Sequence, residues 1–371
     1  MLDLQDIARV RDRVRPDGPP AVLATVVKLT GSAYRGAGAR LLVLPDDSLA
    51  GAVSGGCLEK DVLARAQRLR ATGRAELVAY DLTDDAPWGL GMRCGGRLQL
   101  LLEPLTGGFP EHLAFLLGAA ERREAAVVAT LFRLGDGATA GGSPRAAPGA
   151  SPVAKGVDRG APAVGARLLL AADGTATGAL AGSPLGAAVL ADARAALATG
   201  RTAVKTYPRA GGEAEVLIEF VAPPLSLLVC GAEREAAPLV SLATGLGWQV
   251  RLLGRHDAVP ALDARSAAVV MTHSDSRDLE LLPAVLATGA PYVGLLGSRS
   301  RAKLLLDDLR KQGALGHDAD LGRLHTPAGL DIGAETPGEV ALAIVCEIQA
   351  VFAGRAGGLL RERKGPLHAD R

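Results

Sequence analysis

Residues 38–74 and 165–201 of this 371-residue chain are two versions of one sequence. The first reads GARLLVLPDDSLAGAVSGGCLEKDVLARAQRLRATGR and the second GARLLLAADGTATGALAGSPLGAAVLADARAALATGR. About half of the positions agree at a constant offset, well above chance for unrelated segments. Whatever one copy forms, the other must form too. A similar apolar segment precedes each copy, AVLATVVKL from Ala21 and AVVATLFRL from Ala126, and another follows, LQLLLEPL from Leu98 and EVLIEFVAPP from Glu215. Alternating apolar residues and turn glycines mark these as strands. Residues 58–70 and 185–198 carry helical spacing and end at Thr-Gly, a helix stop. Each copy is thus predicted as strand, strand, strand, helix, strand, at about residues 20–105 and 125–222. Together they make a pseudo-twofold α+β domain over residues 1–222.

The copies differ where chemistry needs polar groups. Ser54-Gly55-Gly56-Cys57-Leu58-Glu59 in the first is replaced by Ala181-Gly182-Ser183-Pro184-Leu185-Gly186 in the second, and GMRCGG at residues 91–96 has no counterpart. The working site is therefore expected in copy one. Residues 135–165 are rich in Gly, Ala, Pro and Ser without periodicity, and read as a flexible loop.

Beyond Pro223-Pro224 the pattern changes. Apolar runs LSLLVCG, WQVRLLG, AAVVMTH and YVGLLGS alternate with helical patterns near residues 235–246, 277–288 and 299–312. This alternation predicts a Rossmann-like, doubly wound parallel sheet over residues 223–371, and an α/β protein as a whole. A last helix opens at Thr336-Pro337-Gly338-Glu339, with Thr336 as cap, Pro337 in the first turn and Glu339 closing a capping box.

Composition excludes several function classes. Basic and acidic residues number 41 and 40, with no basic tail or block, which argues against nucleic acid or an anionic membrane as partner. The longest apolar runs are strand-length, so no membrane span is expected. The opening MLDLQDIARVRDRV reads as an amphipathic helix of mixed charge, not a signal peptide, and four irregularly spaced cysteines make no disulfide framework. A cytoplasmic location is expected.

Four segments are candidates for chemistry. Gly55-Gly56-Cys57 joins a strand to a helix, where the helix dipole and free amides favour a thiolate or a bound oxyanion; a buried cysteine in a tight turn is the alternative. Cys94, in Arg93-Cys94-Gly95-Gly96, has a similar setting, and with Cys57 would hold a soft metal, a sulfur atom or a disulfide; a closed zinc site lacks its remaining ligands. The loop Gly31-Ser32-Ala33-Tyr34-Arg35-Gly36-Ala37-Gly38 is either an anion-binding loop in which Arg35 grips a phosphate or carboxylate, or an ordinary hairpin with a solvated arginine. Gly297-Ser298-Arg299-Ser300-Arg301 follows a strand and begins a helix, a good phosphate cradle.

The first βα turn of that half, Gly231-Ala232-Glu233-Arg234-Glu235-Ala236, lacks the glycine fingerprint. The following strand ends Leu253-Gly254-Arg255 without a ribose-binding acid, so NAD(P) is disfavoured. His273 and His325, with Asp331 and Glu335, fall in loops expected at one sheet edge. Cys230 and Cys346 are expected to be packing residues.

The segments GSAYRGAGARLLV, GAVSGGCLEKDV, MRCGGRLQLLLEP, YVGLLGSRSR and LHTPAGLDIGAETPGEVALAIVCEIQAV together resemble the XdhC/CoxI family of xanthine dehydrogenase and carbon monoxide dehydrogenase accessory proteins. The resemblance implies a maturation factor, not an oxidoreductase. Such a factor binds molybdenum cofactor (molybdopterin) transiently, keeps it ready for sulfuration and inserts it into a xanthine dehydrogenase-type molybdoenzyme. It also implies a homodimer and a cysteine desulfurase as a further partner. The site it implies comprises Ser54, Gly55, Gly56, Cys57 and Glu59 with Cys94, Gly95 and Gly96, Cys57 and Cys94 being the molybdenum or sulfur contacts. Ser32, Arg35, Gly297, Ser298, Arg299 and Arg301 are its candidate phosphate contacts. Two other classes stay open: a nicotinamide-dependent oxidoreductase using the Rossmann-like half, and a sulfur carrier using Cys57 and Cys94.

Overall fold

Each copy of the repeat folds into an antiparallel sheet with one helix laid across it. The computed structural model describes residues 2–31, 33–82, 96–136, 151–152, 162–316 and 321–364. It divides into a unit built on Met1–Pro223 and another on Pro224–Lys364. After helix α1 (Leu2–Arg9), copy one contributes β1 (Ala21–Thr30), β2 (Arg40–Val43), β3 (Leu49–Gly51), α2 (Glu59–Thr72), β4 (Glu76–Asp81) and β5 (Arg97–Leu105). A connecting helix, α3 (Glu111–Glu121), leads to β6 (Ala126–Asp136), and β7 (Ser151–Pro152) pairs with the edge of β4. Copy two continues with β8 (Arg167–Leu170), β9 (Ala176–Thr177), α4 (Gly186–Thr199), β10 (Ala203–Arg209) and β11 (Gly212–Val221). Strand order is β3-β2-β1-β5-β4 in one sheet and β9-β8-β6-β11-β10 in the other, so the duplication read from the sequence is a duplication of topology.

The predicted order within a copy misses one strand. β4 and β10 return antiparallel along β5 and β11, between the helix and the last strand. In β4 only Glu76, Val78 and Tyr80 are buried, so a charged residue stands on its buried face and apolar Leu77 and Ala79 on the other, which blurs the alternation that marks a strand. The 135–165 loop is also shorter than expected: Gly135 and Asp136 belong to β6, and the Gly165 amide donates to the Leu131 carbonyl at 2.8 Å. Residues 137–150 and 153–161 lie outside the described residues.

Helix α2 buries Val62, Ala66 and Leu69 against β1, β2 and β5, and α4 buries Val189, Ala193 and Ala196 at the equivalent positions. Both helices stop at a left-handed glycine, Gly73 and Gly200. The inner faces of the sheets meet in Val27, Leu101, Phe132 and Leu217, flanked by a cluster that includes α1 and α3. The unit is a helix–sheet–sheet–helix stack, which is why β1 and β5 are apolar on both faces. Two nearly buried ion pairs cross between the copies. Arg40 pairs twice with Glu219, at 2.9 and 2.5 Å, and Arg167 pairs twice with Glu103.

In the second unit β12 (Ser226–Gly231), α5 (Glu233–Gly245), β13 (Gln249–Leu252), β14 (Ser266–Met271), α6 (Asp275–Leu286), β15 (Tyr292–Leu295), α7 (Arg299–Lys311), β16 (Leu324–His325) and α8 (Pro337–Phe352) build a parallel sheet, ordered β13-β12-β14-β15-β16. Ala267 and Val269 of β14 face α5 and α8, while Ala268 and Val270 face α6 and α7, so the sheet is covered on both sides. Thr336 and Glu339 form the predicted capping box, with Pro337 in the first turn. Among the described residues no helix is long and apolar enough to cross a membrane.

Candidate functional site

The segment between β3 and α2 is organised by one hydroxyl. Ser54 Oγ accepts the amide hydrogens of Gly56, Cys57 and Leu58, each at 3.1 Å, and donates to the Glu59 carboxylate. Glu59 also accepts the Ser54 amide at 2.9 Å. The amides of Gly56, Cys57 and Leu58, which an oxyanion at this turn would need, are therefore already taken by the nearly buried Ser54 hydroxyl, while α2 itself begins at Glu59 without a side-chain cap. Gly56 sits at φ +111° with open space where a Cβ would be, so backbone conformation, not crowding, requires glycine there. Cys57 is exposed at the start of α2, its Sγ 3.6 Å from Ser54 Oγ. The buried-packing alternative for this cysteine does not hold.

Copy two serves as an internal control. Its loop lies so close to α4 that a Cβ on Gly186 would collide with the Ala181 carbonyl. At the matching position of copy one, Glu59 reaches back to Ser54. The first loop is propped by Glu59 and the second collapses onto its helix. Asp61, in the first turn of α2, accepts from the Tyr80 hydroxyl at 2.6 Å and from Arg65 at 2.7 Å, which fixes α2 to β4. Burial opposes the Asp61 charge, but these two donors hold its carboxyl below the usual range. Ala33, Tyr34, Ser54, Cys57, Leu82 and Leu98 line a recess of about 20 Å3, room for one water-sized group.

Arg35 is not a solvated hairpin residue. Its guanidinium pairs with Asp3 of α1, so an anion there would have to compete with a carboxylate. Gly96 is buried and its carbonyl accepts the Leu82 amide at 2.8 Å. Ser32, Cys94 and Gly95 lie outside the described residues.

In the second unit, Gly297 has φ +147° and Ser298 caps α7, accepting the Arg301 amide at 3.2 Å. Arg301 turns away from an anion: it donates to Asp275 at 3.0 Å and to the fully buried Asp278 at 2.7 Å. Arg299 is exposed and makes no ion pair among the described residues. In the first βα turn, a Cβ on Gly231 would lie 2.8 Å from the Met271 side chain, so strand packing accounts for this glycine. Glu233 and Glu235 occupy the first turn of α5, where a pyrophosphate would otherwise sit. His273, at φ +55°, lies 3.5 Å from Glu235. His325 instead belongs to β16, stacks on Tyr292 at 4.4 Å and contacts Glu347 of α8 at 3.1 Å. Glu347 also accepts from the Tyr292 hydroxyl at 2.6 Å and the Gly329 amide at 2.7 Å. The two histidines thus have different partners. Glu347, an acidic residue inside an apolar helix, carried no local signal of this role. Cys230 is buried, which pushes its thiol up to about 12.

Comparison with known proteins agrees with this organisation. The model of the XdhC and CoxI family matches residues 14–81 and 156–208, and that of the XdhC Rossmann domain matches residues 227–348. The chain is 27% identical over 362 residues to a Bacillus subtilis protein described as a probable subunit of xanthine dehydrogenase, covering 91% of this chain and 94% of that protein. It is 23% identical over 355 residues to the molybdenum cofactor insertion chaperone PaoD of Escherichia coli, covering 94% and 89%. A crystal structure of a xanthine dehydrogenase from Bacillus halodurans shares the fold, with a TM-score of 0.69 at 23% identity over 96% of this chain and 97% of that one. The two family models meet the duplicated unit and the parallel-sheet unit in turn and together span well over half of the sequence: this chain belongs to the XdhC and CoxI family.

Proposed function

We propose that the protein is an accessory factor that holds molybdenum cofactor at the Ser54–Glu59 loop and delivers it to a xanthine dehydrogenase-type enzyme. The observation that carries this reading is the asymmetry of the repeat: only copy one keeps a propped loop with an exposed thiol at a helix start. The names of the two relatives support it. When bound, the cofactor supplies a soft, oxo-bearing metal with dithiolene sulfurs, a pterin and a phosphate. The residues present fit such a group in part. Cys57 offers a soft ligand, and the N-terminal end of α2 favours negative charge beside it. Ser54 and Glu59 keep the loop in shape. With Arg35 paired to Asp3, no free guanidinium is offered by that loop for the phosphate. One exposed thiol gives a hold that is easily released, as a delivery factor requires.

In the fuller form of this reading the cofactor is kept ready for sulfuration by a cysteine desulfurase, and the factor works as a homodimer in the cytoplasm. The carboxylates of Glu233 and Glu235 count against a nicotinamide dinucleotide in the second unit. The test is titration of the full-length protein with molybdenum cofactor, following molybdenum retained through gel filtration. Retention near one per chain that falls in Cys57→Ser supports the site. Binding of NADPH with no molybdenum retained would refute the reading.

A further inference from the structure

Tyr34 is 73% exposed, and among the described residues no large hydrophobic side chain is more so. The side chains of both of its neighbours are held. Ala33 is buried in the core between the first sheet and α2, and Arg35 is held by Asp3 of α1. One face of the ring covers Gly55: a Cβ placed there would lie 3.6–3.7 Å from three ring carbons. The rest of the ring is open to solvent, and it borders the recess that Cys57 and Ser54 also line. A flat aromatic surface is therefore held ready beside the exposed thiol. An aromatic fixed in this way loses little conformational freedom when a second ring stacks on it.

We infer that Tyr34 is a stacking platform for a planar heteroaromatic ring, placed so that a ligand whose soft centre meets Cys57 lays its ring system over the tyrosine. This rests on the cofactor-holding reading of the same loop and adds to it the residue that recognises the organic part. A pterin and a nucleobase both present such a ring, and recognition by stacking depends on the π-face, not on a hydroxyl contact.

The test uses the full-length protein and the fluorescence anisotropy of 6-carboxypterin, with guanosine monophosphate as competitor, on wild type, Tyr34→Phe and Tyr34→Ala. Wild type and Tyr34→Phe should bind the pterin alike, and Tyr34→Ala about 10-fold more weakly, with unchanged circular dichroism. Displacement by the nucleotide at similar concentration assigns the platform to either ring; displacement only at great excess assigns it to the pterin. Equal pterin affinity of wild type and Tyr34→Ala, or no pterin binding by any variant, overturns the inference. Molybdenum retention on the same preparations separates the two levels. Retention equal in wild type and Tyr34→Ala removes Tyr34 but leaves the holding site. A 10-fold pterin effect without molybdenum retention by wild type sinks the cofactor reading and leaves a ring-binding site.

Discussion

Ser54→Ala removes the hydroxyl on which the candidate site turns, and its cost can be worked from the geometry. Three amides and one carboxylate lose their shared partner at once. Gly56 and Cys57 are exposed and their amides regain water, whereas Leu58 is fully buried and its amide does not. Loss of an ordinary hydrogen bond costs about 0.5–1.5 kcal/mol, and a buried donor left unpaired about 1–3 kcal/mol. These overlap, so about 2 kcal/mol is expected. Ser183→Ala, in the corresponding loop of copy two but at the position of Gly56, is the control, because Ala181 stands where copy one has Ser54. Its hydroxyl donates to the Leu180 carbonyl at 2.8 Å and accepts the Leu185 amide at a long 3.3 Å, worth about 0.5–1 kcal/mol. In urea unfolding followed by circular dichroism, a slope of about 2 kcal/mol per M places the Ser54→Ala midpoint about 1 M below wild type at unchanged slope. Ser183→Ala should move it by less than half of that. Equal shifts for the two variants, or less than about 0.5 kcal/mol for Ser54→Ala, would show that the hydroxyl does not hold the loop.

Two further outcomes follow from buried charge. Glu219→Ala strands Arg40, whose side chain is only 5% exposed, and should cost about 3–5 kcal/mol in chemical denaturation, while the Arg40→Met/Glu219→Leu pair should restore most of it. His112 of α3 is buried and, among the described residues, its Nε2 has no hydrogen-bond partner; burial, aided by the charges of Arg167 and Arg40, holds its pKa well below the ordinary value. Below pH about 6.5 the unfolded chain therefore binds a proton that the folded protein does not. The contribution is complete above that pH and is lost as pH falls, at about 1.4 kcal/mol per unit, and a flatter unfolding profile for His112→Gln between pH of about 5 and 6.5 is the check.

The repeat was readable because it placed apolar and glycine residues at one constant offset, and the capping box at Thr336 because all of its parts lie within four residues. What stayed hidden was partnership at a distance. Arg35 looks free until α1 brings Asp3 beneath it, and Arg301 looks like a phosphate ligand until α6 presents Asp275 and Asp278. Arg40 and Glu219 are 179 positions apart, and no local pattern joins them. The same holds for Glu347, which gathers Tyr292, His325 and Gly329 from three segments. In the site, the glycines and Cys57 were visible as types; that Ser54 would occupy the amides around them depended on loop geometry.

The crossed ion pairs have a consequence for how one chain came to hold two unlike halves. Each copy owns one arginine and one glutamate of the set, Arg40 with Glu103 and Arg167 with Glu219, and lends both to its twin. A polypeptide with a single copy can complete those bridges only with a second molecule, so the unit has the contacts of a symmetric dimer closed within one chain. Among identical subunits each substitution appears twice, and neither pocket can be altered alone. Covalent joining lifts that constraint and makes the pairing independent of concentration. Ala181, Gly182 and Pro184 are residues such a lobe can carry once its twin alone keeps the propped loop and its exposed thiol, and the altered half persists as the wall against which the other is built.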